Sequence, residues 1–162
     1  MTQTSEYARR KKKRSNDEND LKFLNRLEFL RMRIANSIYE TSKENLSLSL
    51  INETSQRLLM CLIIIRFAED KLGTTNNERL HNLLLIRENE TKLSERLSVF
   101  FKSFNTTVNS NVFNNEKLLS EIECNDSILL ETIKELCQTD FSNCSVYLLV
   151  NIYEKWLGEE LV

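Results

Sequence analysis

The chain has 162 residues, close to the roughly 150 of one ordinary domain, and contains 2 Gly and 0 Pro where average usage would place about 19 of the two together. That shortage disfavours primed hairpins, β-sandwiches and barrels, and glycine-rich phosphate loops, all of which depend on those residues. With 41% hydrophobic and 28% charged residues and a net charge of −2, the chain can bury a core and shows no overall basic excess, yet the run Arg9-Arg10-Lys11-Lys12-Lys13-Arg14 holds six of its 22 cations.

Residues 1–16 are polar, basic and aperiodic, which predicts a disordered, flexible arm ahead of a single helical domain over 17–162. From Asp17 to about residue 42, Leu21, Leu24, Leu27, Leu30 (or Arg31), Ile34 and Ile38 recur every three or four positions and predict one apolar helix face, with Lys22, Arg26, Arg33 and Glu40 opposite. Asn45-Leu46-Ser47 interrupts the pattern, and a second helix is expected to run to Leu72, where Gly73 supplies a left-handed stop. Its centre, Leu58 to Ile65, is apolar all round, as in a helix enclosed by its neighbours.

Thr74 to Asn77 reads as the capped start of a third segment, with Leu80, Leu83, Leu84 and also Leu85 toward the core. Thr91 is a possible cap for a fourth helix, whose Leu93, Leu97, Phe100, Phe101 and Phe104 form the clearest amphipathic stripe in the chain. Asn105 to Asn111 reads as a polar loop anchored by Val112-Phe113, and a short helix is expected over 115–121. Asn125-Asp126-Ser127 then caps a helix to Cys137, and Ser145 caps a last one lined by Leu148, Leu149, Ile152, Tyr153, Trp156 and Leu157 and closed by Gly158. The expected fold is all-α, a compact bundle of five to seven helices.

Chemistry-bearing patterns are few. Cys61, Cys124, Cys137 and Cys144 form no Cys-x-x-Cys pair and, with the single His81, make a poor metal set; they read as reduced thiols of a cytoplasmic protein. The longest apolar run, Leu58 to Ile65, is far short of the roughly 20 residues of a membrane span, and polar sequence follows the basic run where a signal peptide would be apolar. Glu69-Asp70-Lys71 and Glu90-Thr91-Lys92 match the carboxylate-x-Lys string of restriction-type nucleases, but both fall in helical context and read as solvated helix ends. Glu69 and Asp70 follow Arg66 by three and four residues, the spacing of intrahelical ion pairs, so a charge cluster fixing the helix end is the plainer reading. His81 reads as a helix residue at or near the surface. The basic run is the one feature that implies a partner, because adjacent cations attract a polyanion by counterion release; a solvated tail is its bland alternative.

Three stretches together resemble a family. They are Phe29-Leu30-Arg31-Met32-Arg33-Ile34-Ala35-Asn36-Ser37-Ile38 with Asn45; Ile51 to Leu59 running into Ile64-Ile65-Arg66-Phe67-Ala68-Glu69-Asp70-Lys71; and Phe141-Ser142 with Leu148 to Gly158, which contains Tyr153-Glu154-Lys155-Trp156-Leu157-Gly158. In that order, over about residues 25–160, they are similar to the helical connector of type IIG-like restriction–modification enzymes, where the helices precede an adenine-specific DNA methyltransferase domain. Met60-Cys61 stand where the family tends to have Asp-Arg, Ile64 where it has an aromatic residue and Val150 where it has Gly, so any role the family gives that Arg is absent.

For the whole enzyme the resemblance implies methyl transfer from S-adenosylmethionine to adenine, sometimes with DNA cleavage. The glycines of the cofactor loop and the prolines of the adenine-flipping motif are missing from this chain. The expectation is therefore a non-catalytic module, a fragment or split subunit with no cofactor of its own, that positions or clasps DNA beside a methyltransferase domain or chain. Arg9, Arg10, Lys11, Lys12, Lys13, Arg14, Arg33 and Arg66 are the candidate backbone contacts, and Glu69, Asp70, Tyr153, Glu154, Trp156 and Gly158 are the structural residues of the motifs. The rival expectation is a helical protein-interaction module with no nucleic-acid role, marked by an exposed apolar patch around Tyr153, Trp156 and Leu157.

Overall fold

A computed structural model describes residues 3–42, 45–73, 79–85, 91–108 and 123–160. Among them are five α-helices, α1 (Gln3–Thr41), α2 (Leu48–Leu72), α3 (Leu93–Val108), α4 (Asp126–Gln138) and α5 (Val146–Glu160), and one short 3₁₀ helix (Leu80–Leu84). No strand occurs among the described residues. The chain is an all-α bundle.

The apolar centre of α2 makes it the axial element. Leu58, Leu59, Leu62, Ile63 and Ile65 are fully buried. α1 and α4 pack along it, α5 touches its side, and α4 in turn carries α3 and the 3₁₀ helix. By length and composition α2 is apolar enough to cross a membrane; half of that stretch is buried in the bundle, in one core with Leu27, Leu30, Ile34 and Ile38 of α1 and Leu129, Ile133 and Leu136 of α4. Each such buried side chain contributes roughly 1.5–3 kcal/mol relative to exposure.

Helix ends follow local chemistry. Ser47 begins α2 and accepts the Leu50 amide at 3.2 Å; Gly73 ends it at φ 55°, a conformation that costs glycine nothing. Asn125 accepts the Ser127 amide at 2.8 Å to start α4, and Ser145 accepts the Leu148 amide at 3.3 Å to start α5.

Several expectations are corrected. The first helix begins at Gln3, well before Asp17, and runs through the basic sequence. Arg and Lys are good helix formers and neither Gly nor Pro interrupts the segment, while Glu6 and Arg10 pair one turn apart at 3.0 Å. Leu21 faces solvent, and full burial on α1 starts at Leu27. Leu85 is exposed rather than part of the buried edge, because the five-residue 3₁₀ helix turns only Leu80 and Leu83 fully inward.

The amide of Leu93 at the start of α3 is taken by Asp126 of α4 at 2.9 Å, and Thr91 is exposed. Residues 105–108 continue α3 instead of opening a loop, since Asn105 is buried and the Thr106 hydroxyl bonds back to the Lys102 carbonyl at 3.1 Å. Gly158 does not stop the last helix, which carries on to Glu160. The expected cap at Thr74 to Asn77, the anchor Val112-Phe113 and the helix over 115–121 lie outside the described residues.

Candidate functional site

Arg66 leaves α2 near its C-terminal end, on the side where α4 stops. The last carbonyls of a helix lack intrahelical donors and carry partial negative charge, and the Arg66 guanidinium supplies both what they lack and the opposite charge. Its Nε donates to the Leu136 carbonyl at 3.0 Å and its Nη2 to the Thr139 carbonyl at 2.9 Å. Two further hydrogens go to carboxylates, Nη1 donating to Glu69 Oε2 at 2.9 Å and Nη2 to Asp70 Oδ2 at 2.8 Å.

Both carboxylates extend the cluster. Glu69 Oε1 accepts the amide of Leu80 at 2.6 Å, fixing the start of the 3₁₀ helix, and Asp70 Oδ2 accepts the amide of Phe141 at 2.8 Å. The Phe141 ring lies 5.6 Å from the guanidinium and meets Phe23 of α1 edge-on. Burial opposes the Arg66 charge, but the hydrogen bond to Glu69 and the field of Asp70 more than offset it, and its pKa is raised.

This arrangement corrects two sequence expectations. Glu69 and Arg66 are both buried, so Glu69-Asp70 is not a solvated helix end. Arg66 is not placed to meet a phosphate, because its donors are committed to four groups inside the molecule.

A second cluster joins α1, α2 and α5. Arg31 bonds to Glu28 one turn earlier and donates to Asn52 Oδ1 of α2 at 3.3 Å, while the Trp156 indole N–H donates to Glu28 Oε2 at 3.2 Å. The hydrogen bond from Arg31 holds the Glu28 carboxyl below its usual pKa, with further help from Trp156. Trp156 is therefore buried and not part of an exposed patch, whereas Tyr153 and Glu154 face solvent. Glu28, Asn52 and the role of Asp126 escaped the sequence reading; only the three-residue spacing of Glu28 and Arg31 offered a local signal.

Of the other candidate cations, Arg33 is paired with Glu131 of α4 and lies 5.9 Å from the Phe29 ring centre, while Arg26, paired with Glu135, lies 4.8 Å from the same centre. Its charge is met within the molecule. Arg9, Arg10 and Lys11 are exposed on α1, and positions 12–14 continue the same helix.

Among the described residues no group of three or more His, Cys, Asp or Glu side chains is placed to hold a metal ion. A cavity of about 430 Å³ opens between the 3₁₀ helix and α3, walled by Leu83, Val99 and Phe100 with Arg79, Glu95 and Arg96 also lining it. Neither charge cluster reaches it, and none of the candidate residues lines it. The thiols are held protonated by burial, Cys61 pushed up to about 12 and Cys137 to about 11.

No protein-family model matches the chain, and no curated protein or solved structure matches it significantly.

Proposed function

We propose that the chain is a non-catalytic helical module of a DNA restriction–modification system, positioning or clasping DNA beside an adenine-specific methyltransferase domain or chain in the cytoplasm. One observation supports this reading above the others: the three stretches that resemble the family pack together, through motif residues or the residue beside them. Asp70 of the second takes the amide of Phe141 of the third at 2.8 Å. Trp156 of the third takes Glu28, which directly precedes Phe29-Leu30-Arg31 of the first.

On this reading the motif residues build the module and the basic helix meets the DNA. Arg66 drops out of the contact set because its donors are bound inside the molecule, and a phosphate at Arg33 would have to displace the exposed carboxylate of Glu131. S-adenosylmethionine and the methyl-transfer chemistry belong to the neighbouring domain. Anisotropy of a labelled DNA duplex titrated with the full chain at low salt tests it. Binding tighter than the roughly 10⁻⁴–10⁻⁶ M typical of non-specific binding at physiological salt is expected, with a large loss when Arg9 to Arg14 are replaced by Gln; no binding, or binding indifferent to those replacements, counts against it.

A protein-interaction module without a nucleic-acid role is the second reading, favoured by the exposed Val146, Tyr147, Val150 and Tyr153 along one side of α5. It predicts no DNA binding at low salt, and association with a methyltransferase chain that Tyr153→Glu abolishes.

A further inference from the structure

The basic run lies on a helix that is continuous with the body, and this makes its charge distribution specific. Successive positions turn by about 100° and rise about 1.5 Å, so the exposed Arg9, Arg10 and Lys11 alone spread over about 200° of the helix circumference within about 3 Å of its length. Charge spread so widely round the axis is poorly used by a helix laid along a single strand. It is well used where phosphates flank the helix on both sides, as in the major groove of B-form DNA, which is roughly 12 Å wide and admits one α-helix.

The described part of this segment is open for such a contact. Ser5 to Lys11 are exposed, Tyr7 among them, and full burial on α1 begins only at Leu27. About 14 Å of helix separates Arg14 from Phe23, the first α1 side chain packed on the core.

We infer that the N-terminal part of α1 binds duplex DNA as a helix seated in the major groove, and not as a sequence-blind flexible polycation. This rests on the DNA reading above and adds the form of nucleic acid selected. A-form RNA has a deep, narrow major groove closed to side chains, so a groove-seated helix prefers DNA, whereas a flexible polycation binds both. Ser15→Pro separates the two while keeping every cation: its ring clashes with the Lys11 carbonyl and drives Arg14 out of the helical region.

The test titrates the full chain and Ser15→Pro with a DNA duplex and an RNA duplex of the same sequence at one salt concentration, with vesicles of anionic lipid as a third probe. Expected are roughly tenfold or greater preference for DNA in the wild-type chain and a ratio near one for Ser15→Pro, with unchanged thermal unfolding of the body. Equal binding of DNA and RNA by the wild-type chain, or full preference retained by Ser15→Pro, overturns the groove inference and leaves the DNA reading standing. Binding to neither duplex overturns both, as does tighter binding to the vesicles than to DNA.

Discussion

Trp156 donates its indole N–H to the carboxylate of Glu28 at 3.2 Å, closing α5 onto α1. The same carboxylate is held by Arg31, which also reaches Asn52 of α2. Three helices from opposite ends of the sequence thus share one polar junction at the edge of the apolar core. Trp156→Phe keeps an aromatic ring but removes the donor and the pyrrole half of a buried indole, and is expected to cost at least about 1.5–3 kcal/mol, the range for hydrogen bonds to charged groups. Urea denaturation measures it; Glu28→Gln in the same background should reduce the difference, because the partner charge is gone.

The Glu28 junction also sets an acid dependence. Its folded pKa is lowered, chiefly by the hydrogen bond from Arg31, so the unfolded chain binds the proton more readily than the folded one. The stabilisation is present above the unfolded value of about 4.3 and is lost as pH falls through the lower folded value. Unfolding free energy measured from neutral pH down to about pH 3 should fall less steeply in Glu28→Gln than in the wild-type chain.

At the alkaline end the sign reverses. Burial raises the pKa of all four thiols, Cys61 to about 12 and Cys137 to about 11. Above the ordinary thiol value of about 8.5 the unfolded chain loses protons that the folded chain keeps, and stability declines with rising pH. Cys61→Ala is expected to flatten the decline between about pH 9 and 11, as read from thermal unfolding across that window. The same shifts predict slow alkylation of Cys61 and Cys137 in the native chain at neutral pH and fast alkylation in denaturant.

Arg66 is where substitution should be most damaging. Arg66→Ala strands the buried carboxylate of Glu69, takes its donor from the Thr139 carbonyl and leaves the Leu136 carbonyl with the Thr139 amide alone; breaking a buried pair from one side costs about 3–5 kcal/mol. Arg66→Lys restores charge but cannot reproduce the fork that serves four acceptors, and should recover only part of the loss. Chemical denaturation of the two variants checks the order.

Much of the bundle was legible from spacing, for definite reasons. The period of Leu93, Leu97, Phe100 and Phe101, the enclosed run Leu58 to Ile65, and the stops and starts at Gly73, Asn125 and Ser145 are local properties, and each is realised in the fold. What lay hidden is non-local. The partners of Arg66 on α4 are backbone carbonyls about 70 positions away, which carry no side-chain signature. The donor at Glu28 is an indole that amphipathic spacing could mark only as apolar. Asp126 was legible as part of the α4 cap, but not as the acceptor for the first amide of α3. The basic run misled for a different reason: low hydrophobicity predicts the absence of a core, not the absence of a helix, and its residues favour one.

The slope of log binding constant against log salt for a DNA duplex bears most directly on whether this module works on DNA through its N-terminal helix. Each phosphate neutralised contributes about −0.9. With Arg10 partly engaged by Glu6, the six cations should give a slope between about −4 and −5, falling toward zero when positions 9–14 are all replaced by Gln. A shallow slope in the wild-type chain, or an equally steep one after those replacements, would contradict it.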